Sequence, residues 1–132
     1  MTVVLGYVPT APGFAALDLA VQEASWRDTA LVVVNVEIGG DGSAVTFADE
    51  RQLDAVAERL SSAGIRHEIR QIVDSTDVAA EILNVAEELS AELIVVGLHR
   101  RSSVGKMLLG SNAQRIIISA SCPVLSVRPH ED

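Results

Sequence analysis

Residues 93–97, Leu93-Ile94-Val95-Val96-Gly97, read as a buried strand that stops at a glycine. An unbroken β-branched run without polar alternation suits a strand covered on both faces. A basic passage follows, from Leu98-His99-Arg100-Arg101 through Ser102-Ser103 to Gly105-Lys106, and it closes at Gly110-Ser111-Asn112. Those three residues are an N-cap signal, because Ala113, Ile116, Ile117 and Ala120 recur behind them at helical spacing. Strand, basic loop and helix N-terminus in that order make an anion cradle, since the unpaired N–H groups and the dipole of a first helical turn favour negative charge.

Charge is distributed to match. Of 18 acidic residues, 16 precede Leu93, whereas residues 93–130 contain no Asp or Glu and five bases, namely Arg100, Arg101, Lys106, Arg115 and Arg128. The chain as a whole carries a formal charge of -8. A local basic site on an acidic body suits one small anion, whereas a nucleic-acid surface needs a broad basic face. With three per cent aromatic residues, stacking platforms for single strands are missing as well.

The spacing Gly97-x2-Arg100-x9-Gly110-Ser111, followed by Cys122-Pro123-Val124-Leu125-Ser126-Val127-Arg128, resembles the C-terminal signature of the universal stress protein family. In nucleotide-binding members the signature is G-x2-G-x9-G-S/T, and it cradles the phosphates of ATP. The resemblance implies ATP or AMP as ligand, with magnesium accompanying ATP, and a site drawn from Val8, Pro9, Val36, Gly97, His99, Arg100, Gly110, Ser111 and Asn112. Two positions depart from the pattern. Val8 or Pro9 stands where nucleotide-binding members carry an Asp that bonds the adenine or ribose, and Arg100 replaces the second glycine. Arg100 either carries a backbone cost, if the position needs positive φ, or offers a guanidinium fork to phosphate.

The rest of the chain alternates strands and helices. Residues 2–8 contain Val3-Val4-Leu5 and read as the first strand, ended by Pro9-Thr10-Ala11-Pro12-Gly13. A helix with Leu17, Ala20, Val21 and Ala24 inward leads to a second strand at 31–36. After a turn at 39–43, a helix over about 48–62 stops at Gly64, and residues 65–70 alternate apolar and charged, as an edge strand does. Asp77 caps a third helix with Ala79, Ile82, Leu83 and Ala86 inward. Repeated βαβ units imply a doubly wound α/β fold, a five-stranded parallel sheet with helices on both faces. Order 3-2-1-4-5 puts the alternating strand at one edge and strands one and four at the switch point, where such sheets bind ligands. The family resemblance implies the same Rossmann-like, adenine nucleotide alpha hydrolase-like arrangement.

Other chemistries lack their residues. A Walker A loop ending at Gly105-Lys106 would require glycine at Arg100 and Ser or Thr at Met107. His67, His99 and His130 stand far apart without metal-ligand spacing, so no metal is expected. Cys122 has no activating His beside it in sequence and reads as a small buried residue. Ser102 and Ser103 read as turn residues, and Trp26 as packed on the sheet edge or at a subunit contact.

A chain of 132 residues reads as one domain over 1–132, able to bury roughly 70% of its unfolded surface. One cysteine and no apolar run of spanning length suggest a cytoplasmic protein that meets neither membrane nor nucleic acid. The apolar last strand, 124–127, would be an open edge in a monomer, so a homodimer through it is expected, as the resemblance also implies. Function then reads as a nucleotide-binding regulator and not an enzyme. The alternatives are an interaction domain of the same fold that binds no nucleotide, and a slow ATP hydrolase or phosphotransferase.

Overall fold

The computed structural model describes residues 1–39, 46–100, 107–108 and 110–129. Its centre is β1 (Thr2–Gly6), flanked by β2 (Ala30–Ile38) and β4 (Leu93–Gly97), with β3 (His67–Ser75) and β7 (Val124–Val127) outside them. All four pairings are parallel. The order β3-β2-β1-β4-β7 is the expected 3-2-1-4-5, which the family resemblance implies, since β7 is the fifth strand of this sheet. A two-residue pair, β5 (His99–Arg100) with β6 (Met107–Leu108), adds an antiparallel hairpin inside the passage read from sequence as a loop.

Helices α1 (Ala11–Arg27) and α2 (Glu50–Ser62) cover one face, and α3 (Val78–Glu88) and α4 (Ser111–Ser119) the other. Period-two alternation along the central strands sorts their side chains. Val3, Leu5, Leu31, Val33 and Val95 meet Ala16, Ala20, Ala24, Val56 and Leu60, whereas Val4, Val32, Val34, Ile94 and Val96 meet Ala79, Ile82, Val85 and Ile116. Small alanines on α1 let that helix lie close against the sheet. Ile116 is the one buried residue of α4, so truncating it to Ala would remove about 2–5 kcal/mol from that helix's anchorage.

Helix boundaries follow local chemistry. Asp49 and Gln52 form a reciprocal capping box at the start of α2, each side chain accepting the other's backbone N–H at 2.8 Å. Asp77 caps α3 by accepting from Ala80 N–H at 3.1 Å. Gly64 takes a φ of 70° just beyond α2, which is why a glycine ends that helix.

Several expectations are corrected. β1 ends at Gly6, short of Val8: Tyr7 N–H still bonds Val34 O of β2, but the chain then turns, Thr10 N–H closing onto Val8 O. β3 is the predicted edge but starts at His67 and continues to Ser75, five residues past the alternating stretch. There the register shifts, with Asp74 at a φ of 56° donating its N–H to the Glu37 carboxylate at 3.2 Å. Ile117 is exposed, because α4 presents only one narrow stripe to the sheet. Trp26 is 71% exposed and packs on no sheet edge within the chain. Among the described residues no helix is long and apolar enough to cross a membrane.

Candidate functional site

β1 and β4 lie side by side, and the helices that follow them pack on opposite faces, α1 on one and α4 on the other. A parting of connections at the carboxyl ends of parallel strands leaves a crevice between them. It is a cleft of about 630 Å³, within the range of small-molecule sites. Val8 after β1, Val36 in β2, Gly97 at the end of β4, and Gly110, Ser111 and Asn112 at the start of α4 all line it.

Pro9 is not among the residues that line the cleft; it sits in the turn where Thr10 N–H bonds Val8 O. His99 and Arg100 form β5, and their side chains lie outside the described structure, as do Lys106, Ser102, Ser103 and His130 entirely. His67 is remote, its Nδ1–H donating to the Ile65 carbonyl at 2.9 Å. Cys122 is partly buried in a smaller hollow of about 320 Å³ near the amino ends of β4 and β7, where burial pushes its thiol pKa up.

The two ends of the cleft differ in chemistry. At one end α4 begins at Gly110 with no side-chain cap. Gln114 N–H is the first to close onto the helix, bonding Gly110 O at 3.0 Å, so the N–H groups of Ser111, Asn112 and Ala113 lack intrahelical acceptors. Among the described residues, a Cβ placed on Gly110 would meet nothing within 4 Å. Donors without intrahelical acceptors and the positive end of a helix dipole fit a phosphate group. Arg115, one turn further along α4, is engaged by the Asp77 carboxylate at 2.5 Å, which ties α4 to the first turn of α3. That guanidinium, followed by the Ala80 N–H, holds the Asp77 carboxyl below the usual carboxylate range.

At the other end Val8, Val34, Val36 and Ile38 form an apolar wall, and Tyr7, whose ring packs into the α1 and α2 core, and Thr46 also line the cleft. Desolvation raises the Tyr7 hydroxyl pKa, so the ring stays neutral, and it lies 6.4 Å from the ring of Phe14. Such a wall suits a flat heteroaromatic base more than a second charged group. Tyr7, Thr46 and the α3 residues Val78 and Ile82 were not read as site residues. Val78 and Ile82 face the cleft from a helix stripe that looks in sequence like any core-facing stripe, and Thr46 follows a turn without periodicity.

A sequence model of the universal stress protein family matches residues 1–128. A universal stress protein of Mycolicibacterium smegmatis is 39% identical over 128 residues, covering 97% of this chain and 98% of the relative. A longer relative from Mycobacterium tuberculosis is 29% identical over 137 residues and covers 94% of this chain, which spans about half of it, 47%. Among solved structures, a universal stress protein from Archaeoglobus fulgidus shares 26% identity over 96% of each chain, with a TM-score of 0.78. Another, a universal stress protein in complex with cAMP, shares 24% identity over 98% of each chain at a TM-score of 0.75, a likeness of fold.

Proposed function

This chain belongs to the universal stress protein family, and on that premise we propose that it is a cytoplasmic regulatory protein that binds an adenine nucleotide, AMP or ATP, in the cleft beyond β1 and β4. The observation that carries the reading is the α4 end of the cleft, where three N–H groups without intrahelical acceptors stand beside a glycine whose added Cβ would meet none of the described residues. Phosphate takes the helix end, held by the Ser111, Asn112 and Ala113 amides, while the base lies against Val8, Val36 and Tyr7. A fold relative solved with cAMP supports the same ligand class. Magnesium would accompany ATP through its phosphates. The test is mass spectrometry of small molecules released on denaturing the freshly purified protein, with calorimetric titration of AMP and ATP, with and without magnesium. Saturable binding is the expected result; no released nucleotide together with no heat would overturn the reading.

A second reading, an interaction domain without nucleotide, draws on Val8, whose apolar side chain lines the cleft where nucleotide-binding relatives are expected to place a carboxylate. Failure of the titrations would favour it. Under either reading the chain is a homodimer through β7. That strand is an edge of the sheet with half-buried side chains, and α4 next to it exposes Ile117 and Ile118. Leu125→Lys should give monomer by light scattering, whereas an unchanged dimer would move the interface elsewhere.

A further inference from the structure

Asn35 is a fully buried polar residue among the valines of β2, on the strand face turned toward α1 and α2. All of its hydrogen-bonding capacity is engaged. Its Nδ2 donates to Tyr7 O and to Thr46 O, both at 2.9 Å, while its Oδ1 accepts from Ala48 N–H at 2.9 Å and from Gln71 Nε2 at 3.1 Å. Gln71 Nε2 also donates to Ala48 O at 2.8 Å. One buried amide and one reaching in from the edge strand thus fasten the end of β1 and residues 46–48 to the sheet. Asn35 and Gln71 do not line the cleft, but Tyr7 and Thr46 do.

We propose that Asn35 and Gln71 form one positioning clamp that fixes Thr46 against the apolar wall and thereby sets nucleotide affinity. Residues 46–48 belong to no helix or strand, so no backbone ladder holds them, and the clamp supplies the bonds that a ladder would. A buried hub with every donor and acceptor used specifies one arrangement, whereas losing a member leaves the others unpaired. Without it the wall samples other positions, and affinity falls by the fraction of molecules that keep the competent one. The inference rests on the nucleotide reading of the cleft.

Two variants test it. Asn35→Leu, close in volume, removes four bonds and should weaken AMP and ATP binding by about thirtyfold or more. Gln71→Met removes two bonds from an exposed position where folding is little at risk, and should weaken binding about threefold to tenfold. Amide exchange gives the readout that a merely structural role would not move in step with affinity: Ala48 N–H should lose protection in Asn35→Leu and in part in Gln71→Met, with melting of Gln71→Met nearly unchanged. Wild-type protein that binds both nucleotides, with both variants binding equally well, overturns the clamp alone. Wild-type protein that binds neither overturns the nucleotide reading and the clamp's role in affinity together. Should Asn35→Leu fail to fold, Gln71→Met decides.

Discussion

Gly97 and Gly110 belong to the same sequence signature and line the same cleft, but the structure needs them for different reasons. At Gly97 an added Cβ would lie 2.5 Å from Pro12 O and 2.7 Å from Pro12 C, so glycine is required for α1 to pack against the end of β4. At Gly110 the φ is -67°, which any residue adopts, and no atom of the described residues lies within 4 Å of an added Cβ. One glycine is explained by the protein and the other is left to a ligand. A signature position therefore does not by itself identify a ligand contact; the space around its missing side chain separates the two cases.

Gly110→Glu should break that comparison most. Nothing crowds the new side chain, so thermal melting should stay near wild type, but a carboxylate at the mouth of the α4 amides repels phosphate and fills its approach. Loss of AMP and ATP affinity by about a hundredfold or more is expected in calorimetry, in keeping with like-charge juxtaposition costing several kcal/mol. A variant that melts normally and still binds would remove Gly110 from the site.

Gly97→Ala should act in the opposite sense. Its Cβ meets backbone, which cannot rotate away, so α1 must shift, and overpacking of this kind costs about 1–3 kcal/mol. A lower midpoint in urea at unchanged slope would show it. A midpoint equal to wild type would mean that the Pro12 contact relaxes freely, and Gly97 would then rank with Gly110 as a ligand-facing position.

The same contrast explains how much could be read from the sequence. Which strands are central follows from hydrophobic pattern: the uninterrupted runs at Leu31 to Val36 and Leu93 to Val96 lie inside the sheet, and the alternating Ile65 to Arg70 stretch leads into an edge, whereas the full order came from the family resemblance. The α4 end of the site was legible because a helix start has local signals in Gly110-Ser111-Asn112. The far end was not. Thr46 is fastened there by its bond to Asn35, whose partners are eleven, thirteen, twenty-eight and thirty-six residues away. One signal was available: an Asn inside a valine strand must find partners for four hydrogen bonds. The extension of β3 to Ser75 was hidden similarly, because it depends on Asp74 entering the left-handed region against Glu37. Exposure of Trp26 shows the converse limit, since a large apolar residue need not be inside.

The Asp77–Arg115 pair gives the smallest expected effect and sharpens the comparison from the α4 side. It ties the helix that starts at Gly110 to the first turn of α3, and both partners are well exposed, so it is readily screened by salt. The folded-state pKa of Asp77 is depressed, chiefly by the Arg115 hydrogen bond and then by Ala80 N–H. A depressed carboxylate contributes stability that is fully present above the ordinary aspartate pKa, about 3.9, and lost as pH falls through the lower folded value. Asp77→Asn keeps a side-chain acceptor for the Ala80 N–H but removes the charge. It should melt slightly below wild type at pH 7, and the gap should close as pH falls below 4 or as salt is raised. A gap that stays constant across that range would assign the effect to capping geometry, leaving Arg115 no electrostatic part in holding α4 beside the cleft.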